Sequence, residues 1–300
     1  MVTSSLKKLN TNYKMRFGKF EFNLKRPHIM GILNLTPDSF SGDGCYSNSL
    51  IKGSKKKTKE IINMALKMQN DGADIIDIGG ESSRPNAKPI SKKEEYNRVI
   101  PILKLLVKKL NIPISIDTYK PEIANAALDC GAVIINDITA LADINMVKTI
   151  SRHKAGVILM HMKGNPLIMQ KKIFYKNLTS EIINRLRSSI KIATDNGISF
   201  DKIIIDPGIG FGKTTKHNLE ILSRLEEFKT LKRPILIGPS RKSFIGNILG
   251  IPPKERIYGT LASVIVALMK GANIVRVHDV KEIYQGIKIL EKITNYADCN

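Results

Sequence analysis

The sequence predicts an α/β chain built as a single (β/α)8 TIM barrel, with its active site at the C-terminal ends of the strands. Three observations predict it. Short apolar runs without polar alternation recur along the chain, which is how strands buried on both faces read. Each run leads through a polar loop into a stretch of helical periodicity, and the unit repeats eight times. Polar residues gather just after the apolar runs, where the strand-to-helix loops of such a barrel converge. A doubly wound open sheet is the main rival, and the count of eight favours the barrel.

In order, the apolar runs fall at 29–33, 74–78, 113–116, 132–135, 156–160, 202–205, 234–237 and 273–277. Helical stretches follow near 54–70, 91–110, 120–130, 143–153, 177–196, 215–229, 255–270 and 280–293. In the second helix Val99, Ile102, Leu103, Leu106, Val107 and Leu110 form one amphipathic stripe. Ser91 with Glu94 makes a capping-box signature at its start, and Pro101 within the stripe predicts a kink. In the fifth helix Leu178, Ile182, Leu186 and Ile190 recur every fourth residue. The barrel domain is read as 26–293, with a frayed basic extension at 1–25 and a short tail at 294–300.

A hydrophobic fraction of 42% suffices for a sizeable core, and no apolar run approaches the roughly 18 residues of a membrane span. The N-terminus is basic and lacks an apolar secretory core, so a cytoplasmic location is expected. Cys45, Cys130 and Cys299 are odd in number and far apart, which suits a reducing compartment and no disulfide framework or zinc site. The formal net charge of +21 points to anionic partners. The lysines are spread along the chain, Trp is absent and no nucleic-acid-binding motif is found, so a small anionic substrate is expected rather than nucleic acid. The densest run, KGSKKKTKE at 52–60, reads as a solvated helix start.

The stretch IIIDPGIGFGKTT (203–215) superficially suggests a phosphate-binding loop. The P-loop pattern fails because Pro207 stands where the first glycine must be, and proline offers no N–H. The dinucleotide pattern fails because Lys213 replaces its third glycine. This leaves Asp206, a carboxylate at the end of an apolar strand, to be explained. The other strand ends carry Asn34; Glu81, Ser82, Ser83 and Arg84; Asp117; Asn136 and Asp137; His161; the segment GPSRKSFIG; and Arg276 with His278. Singly, an Asp or Asn there caps a helix or shapes a turn, and a histidine such as His161 is more often a hydrogen-bonded core residue than a catalyst. Together they supply carboxylates and amides for the N–H-rich edge of a heterocycle, and a cationic group for phosphate. No nucleophile elbow, Cys–base pair or His/Cys/Glu metal set is present.

With these residues assembled, the chain resembles the dihydropteroate synthase family from about Arg26 to Val280. RPHIMGILNLTPDSFSGDG, DIIDIGGESSRPNA, PISIDTYKP, IINDITAL, LMHMKGNP, IIIDPGIGFGK, IGPSRKSFIG and VRVHDV occur in the family's order. The resemblance implies a transferase of folate biosynthesis that joins 6-hydroxymethyl-7,8-dihydropterin diphosphate to p-aminobenzoate, through a cation-like pterin methylene. It implies that Asp117, Asn136, Asp206 and Lys242 hold the pterin, and that Asn34, Arg84, Arg276 and His278 meet the diphosphate. Mg2+ would bridge phosphate oxygens and the Asn34 side chain. Phe40, Ser83, Arg84, Pro85, Phe211 and Ser243 would form the p-aminobenzoate side, where sulfonamides are expected to bind. Lys242, Arg276, His278 and the loop acid Asp43 are the implied catalytic residues. The family also implies a homodimer formed through outer helices.

Three positions depart from the family pattern: Asp43 falls one residue late in its loop, Asn86 replaces a glycine, and Tyr119 replaces a small residue. A pterin-dependent methyltransferase of the same superfamily is the nearest alternative, but it has no use for the SRKS segment or the R-x-H pair. A non-enzymatic anion- or nucleic-acid-binding barrel is the alternative from another class.

Overall fold

The computed structural model describes residues 14–36, 55–84, 87–170 and 173–296. Strands β1 (Lys14–Phe17) and β2 (Phe20–Asn23) form an antiparallel hairpin. The repeating units follow: β3 (His28–Asn34) with α1 (Lys55–Asn70), β4 (Ile75–Gly79) with α2 (Lys92–Leu106), and β5 (Ile114–Asp117) with α3 (Pro121–Asp129). Next come β6 (Ile134–Asp137) with α4 (Ile144–His153), β7 (Gly156–Met160) with α5 (Leu178–Asp195), and β8 (Ile203–Asp206) with α6 (Thr215–Ser223). Last are β9 (Leu236–Ile237) with α7 (Ser243–Leu249) and α8 (Ile257–Met269), and β10 (Ile274–Val277) with α9 (Val280–Tyr296).

Strands β3 to β10 make one parallel sheet in the order β8-β7-β6-β5-β4-β3-β10-β9. The ring closes where Ile205 N–H donates to Pro234 O at 2.9 Å and Ile205 pairs with Ile235 in parallel. The eight strands lie at the predicted positions, and the barrel replaces the open-sheet rival.

Because side chains alternate across a strand, every second residue points into the barrel. Four strands place a polar residue two positions after an inward isoleucine: Asp77 after Ile75, Asn136 after Ile134, Asp206 after Ile204, and Arg276 after Ile274. The isoleucines form an apolar floor and the polar residues the layer above it. The outward residues pack against the helices, as Ile76, Ile78 and Ile116 do with Val99, Leu103 and Leu106 of α2.

The reading of 1–25 as a frayed extension fails from Lys14 onward. The β1–β2 hairpin turns at Gly18 (φ +57°) and seals the N-terminal end of the barrel. Met15, Phe17, Phe22 and Leu24 are buried against Met30, Ile158 and Ile204 of the floor. A Cβ on Gly156 would lie 2.3 Å from the Phe17 ring, so the strand must carry glycine where the aromatic enters. Lys14, Arg16 and Glu21 face outward and account for the basic, polar appearance of the segment.

Smaller differences concern helix ends. Ser91 Oγ accepts from Glu94 N–H as expected, but the Glu94 carboxylate turns to Arg98, leaving half of the capping box. Helix α2 runs through Pro101 without a break and stops at Leu106. The sixth helix ends at Ser223 and continues as a 3-10 segment, Leu225–Leu231. Helix α7, two turns long, is an addition to the eight-unit plan.

Candidate active site

The polar layer above the isoleucine floor surrounds a recess lined by Asp117, Asn136, Asp206, Phe211, Lys242 and Arg276. The recess opens into a cleft of about 380 Å3 at the C-terminal mouth, with which it shares Asp117, Phe211, Lys242 and Arg276. The cleft adds Asn34 from β3, Ser83 and Arg84 from the loop after β4, Ser243 at the start of α7, and His278 after β10. The eleven described candidates, drawn from seven separate sequence segments, thus line one continuous site. Phe40, Asp43 and Pro85, with Asn86, lie outside the described residues.

Arg276 spans the recess. Its Nε donates to Asp77 Oδ2 at 2.6 Å and its Nη2 to Asp117 Oδ2 at 2.8 Å. Burial opposes the guanidinium charge, but Asp77 and Asp117 outweigh it and raise the pKa of Arg276. Burial pushes Asp117 upward against the pull of Arg276, and the nearby Asp77 adds repulsion. Burial likewise raises Asp206 to about 6, although Gly208 N–H donates to its Oδ1 at 2.7 Å. Lys242 is pushed down to about 8 by burial and by Arg276. Its Nζ lies 4.0 Å from the centre of the Phe211 ring, a cation–π contact that holds the lysine over the recess.

The supporting shell explains several residues that sequence reasoning passed over. Arg241 has a left-handed backbone (φ +56°), held by its own N–H to Thr260 Oγ1 at 3.0 Å and by two bonds to Asp279 at 2.6 and 3.0 Å. This clamp sets the direction in which the next residue, Lys242, leaves the chain. Ser240 Oγ accepts from His278 N–H at 3.2 Å and stands 3.0 Å from His278 Nδ1, fixing the imidazole plane. Glu81 accepts from Tyr119 Oη at 2.7 Å and from Lys120 Nζ at 2.5 Å, and Lys120 reaches buried Glu95 at 2.5 Å. Tyr119 therefore serves to brace the loop after β4.

The glycine-rich loop is explained by contacts, not by phosphate. Gly208 has φ +74°, and a Cβ there would fall 1.9 Å from His161 O. His161 itself lines neither the recess nor the cleft and is a buried, hydrogen-bonded residue. Asp77 carried a signal, since it is a charged residue inside an apolar strand, where an uncompensated charge is costly.

Compared with known proteins, residues 30–278 match the pterin binding enzyme family. A dihydropteroate synthase of Clostridium beijerinckii is 45% identical over 282 residues, covering 93% of this chain and 99% of that protein. The chain belongs to the dihydropteroate synthase family. A crystal structure of the Yersinia pestis dihydropteroate synthase with a sulfonamide drug superposes with a TM-score of 0.87 at 38% identity, over 93% of this chain and 98% of that one. The Xanthomonas albilineans dihydropteroate synthase in complex with 7,8-dihydropteroate gives 0.82 at 33% identity over 93% and 98%. The family's barrel is thus present over nearly the whole chain.

Proposed function

We propose that the chain condenses 6-hydroxymethyl-7,8-dihydropterin diphosphate with p-aminobenzoate to give 7,8-dihydropteroate and pyrophosphate, a step of folate synthesis. One observation carries the reading: an acceptor-lined recess lies directly beneath a cation-lined cleft. Asp206, with Asp117 and Asn136, accepts from the N–H groups of the pterin edge, a parallel pairing that a carboxylate makes well. Lys242 stands over the ring with Phe211. Arg276, His278 and Arg84 receive the diphosphate.

In the reaction the bond between the pterin methylene and its oxygen breaks, and pyrophosphate leaves with the electron pair. The p-aminobenzoate nitrogen then supplies the pair for the new C–N bond and releases a proton. Such a substitution needs a stabilised leaving group and an oriented neutral amine more than a strong base. Preorganised cations at the leaving group fit that need. Ser243 at the start of α7, with Ser83, Phe211 and Arg84, is placed to orient p-aminobenzoate, and sulfonamides would compete there.

Among the described residues no group of three or more His, Cys, Asp or Glu side chains could hold a metal ion alone. The Asn34 carboxamide in the cleft provides one oxygen ligand suited to Mg2+ that arrives with the diphosphate. When bound, magnesium would neutralise part of the charge that develops on the leaving group. We assign the outward apolar face around Tyr258, Val266 and Met269 of α8, with Ile248 and Leu249 of α7, to a homodimer contact. No described helix is long and apolar enough to cross a membrane, and we place the reaction in the cytoplasm, with no nucleic-acid partner.

The deciding experiment is pyrophosphate release from purified protein, with p-aminobenzoate and Mg2+ each included or omitted, and mass detection of dihydropteroate. Amine-dependent condensation is expected, as is its loss without Mg2+. Pterin binding without condensation in folded protein would overturn the assignment.

A further inference from the structure

A carboxylate with no exposed surface stands beneath the recess. Asp77 is the inward residue of β4, two positions above Ile75 of the floor, and it lines neither recess nor cleft. Its Oδ2 accepts from Arg276 Nε at 2.6 Å and from Asn136 Nδ2 at 3.1 Å. Two buried oxygens in this group, Asp77 Oδ1 and Asn136 Oδ1, have no partner among the described residues.

An ionised carboxylate can only accept, so the end of the Asn136 amide turned to Asp77 must be the –NH2. This fixes the amide orientation on chemical grounds and leaves Asn136 Oδ1 as the atom the residue can offer to a ligand. An unpaired buried acceptor is costly, and a ligand N–H would relieve that cost. The same Asp77 oxygen holds Arg276, whose other end rests on Asp117. One charge therefore sets both the residue proposed to meet the diphosphate and the amide proposed to meet the ring.

The geometry points to Asp77 as a positioning residue that fixes the Asn136 amide, so that Asp117, Asn136 Oδ1 and Asp206 present acceptors only to the ligand edge. This rests on the reading of the recess as the pterin site. The consequence is specificity: a heterocycle carrying an N–H at the position facing Asn136 is taken, and one carrying a bare ring nitrogen there is repelled. Removing the Asp77 charge frees the amide to invert and blurs that choice.

The test uses the full chain and the non-phosphorylated probe 6-hydroxymethyl-7,8-dihydropterin, measured by calorimetry, beside steady-state kinetics. For Asp77→Ala the probe Kd and the KM for the pterin diphosphate should rise on the order of tenfold, the scale of one lost buried hydrogen bond. The KM for p-aminobenzoate should stay within about twofold, a split that general loosening of the barrel would not give. Asp77→Ala added to Asn136→Ala should weaken the probe no further than about twofold, because the two act as a unit. If Asp77→Ala does not fold, Asp77→Asn decides: its amide can donate or accept, so probe affinity should still fall. Wild-type probe affinity in the variants, or effects that multiply in the double variant, would overturn the inference while leaving the proposed function intact. Failure of the wild type itself to bind the probe would remove both.

Discussion

Lys213 Nζ stands 3.0 Å from His161 Nδ1, 3.0 Å from Phe211 O and 3.3 Å from His161 O. Its three ammonium hydrogens thus meet three acceptors, and the lysine staples the glycine-rich loop to the end of β7. Burial and the Lys213 charge drive His161 down to about 2, so the imidazole is neutral and accepts at Nδ1. Burial draws Lys213 to about 7, against the pull of Asp206. The lysine that mimics a P-loop residue in the sequence is spoken for inside the protein.

Lys213→Met would leave those three acceptors without a donor. It should lose about 2–4 kcal/mol of stability, since each unsatisfied buried group costs about 1–3 kcal/mol and partial relaxation recovers some. Urea denaturation measures it. A variant as stable as wild type would mean that the ammonium holds nothing.

Arg276→Lys keeps the charge but cannot keep the geometry. A single ammonium cannot reproduce the guanidinium fork that reaches Asp77 and Asp117 from two nitrogens. We expect kcat/KM for the pterin diphosphate to fall on the order of tenfold or more, with Arg276→Ala lower still. Steady-state kinetics at saturating p-aminobenzoate would reveal it, and equal activity of the lysine variant would argue against a role for the fork.

The pKa of Asp206, raised from 3.8 to about 6, gives opposite pH effects on stability and on binding. The folded state holds this proton more tightly than the unfolded chain. The resulting stabilisation is complete below about 3.8 and is lost as pH rises through about 6. Pterin recognition requires the ionised form and should weaken as pH falls below 6. Affinity for a non-phosphorylated dihydropterin should drop on the order of tenfold between pH 7.5 and pH 5. A flat affinity profile in folded protein would show that Asp206 does not need its charge.

What could be read from the sequence and what could not separate along physical lines. The pattern in which a polar residue follows an apolar run is visible in one dimension, so Asp206, Asn136, Asp117 and Arg276 were legible as strand-end residues. Asp77 was visible as a charge inside DIIDIGG, but its role was hidden because its partners Arg276 and Asn136 are far away in the chain. Lys213 was legible only as a failed motif, since two of its three acceptors belong to His161, just past β7 and far away in the chain. Helix α7 is too short for periodicity to register. The hairpin had a signal, the alternation of Met15, Phe17, Phe20 and Phe22 about Gly18, which the surrounding basic residues masked.

That hairpin should matter for stability and not for chemistry. Phe17 is buried in the barrel floor, remote from the residues lining the cleft. Phe17→Ala should cost about 3–5 kcal/mol, the usual penalty for emptying a packed aromatic site. The KM values of whatever folded fraction remains should be unchanged. Shifted KM values would show that the floor and the recess are mechanically linked.

A vessel stoppered at its base is filled from its mouth. With Met15, Phe17 and Phe22 closing one end and the recess lying beneath the cleft, whatever occupies the bottom must enter before anything settles above it. We expect traffic to be first in, last out, with the bicyclic partner boarding ahead of the amine and the joined product backing out along the same path. Isotope trapping should capture preloaded pterin diphosphate when amine is added, while preloaded amine exchanges freely with the pool.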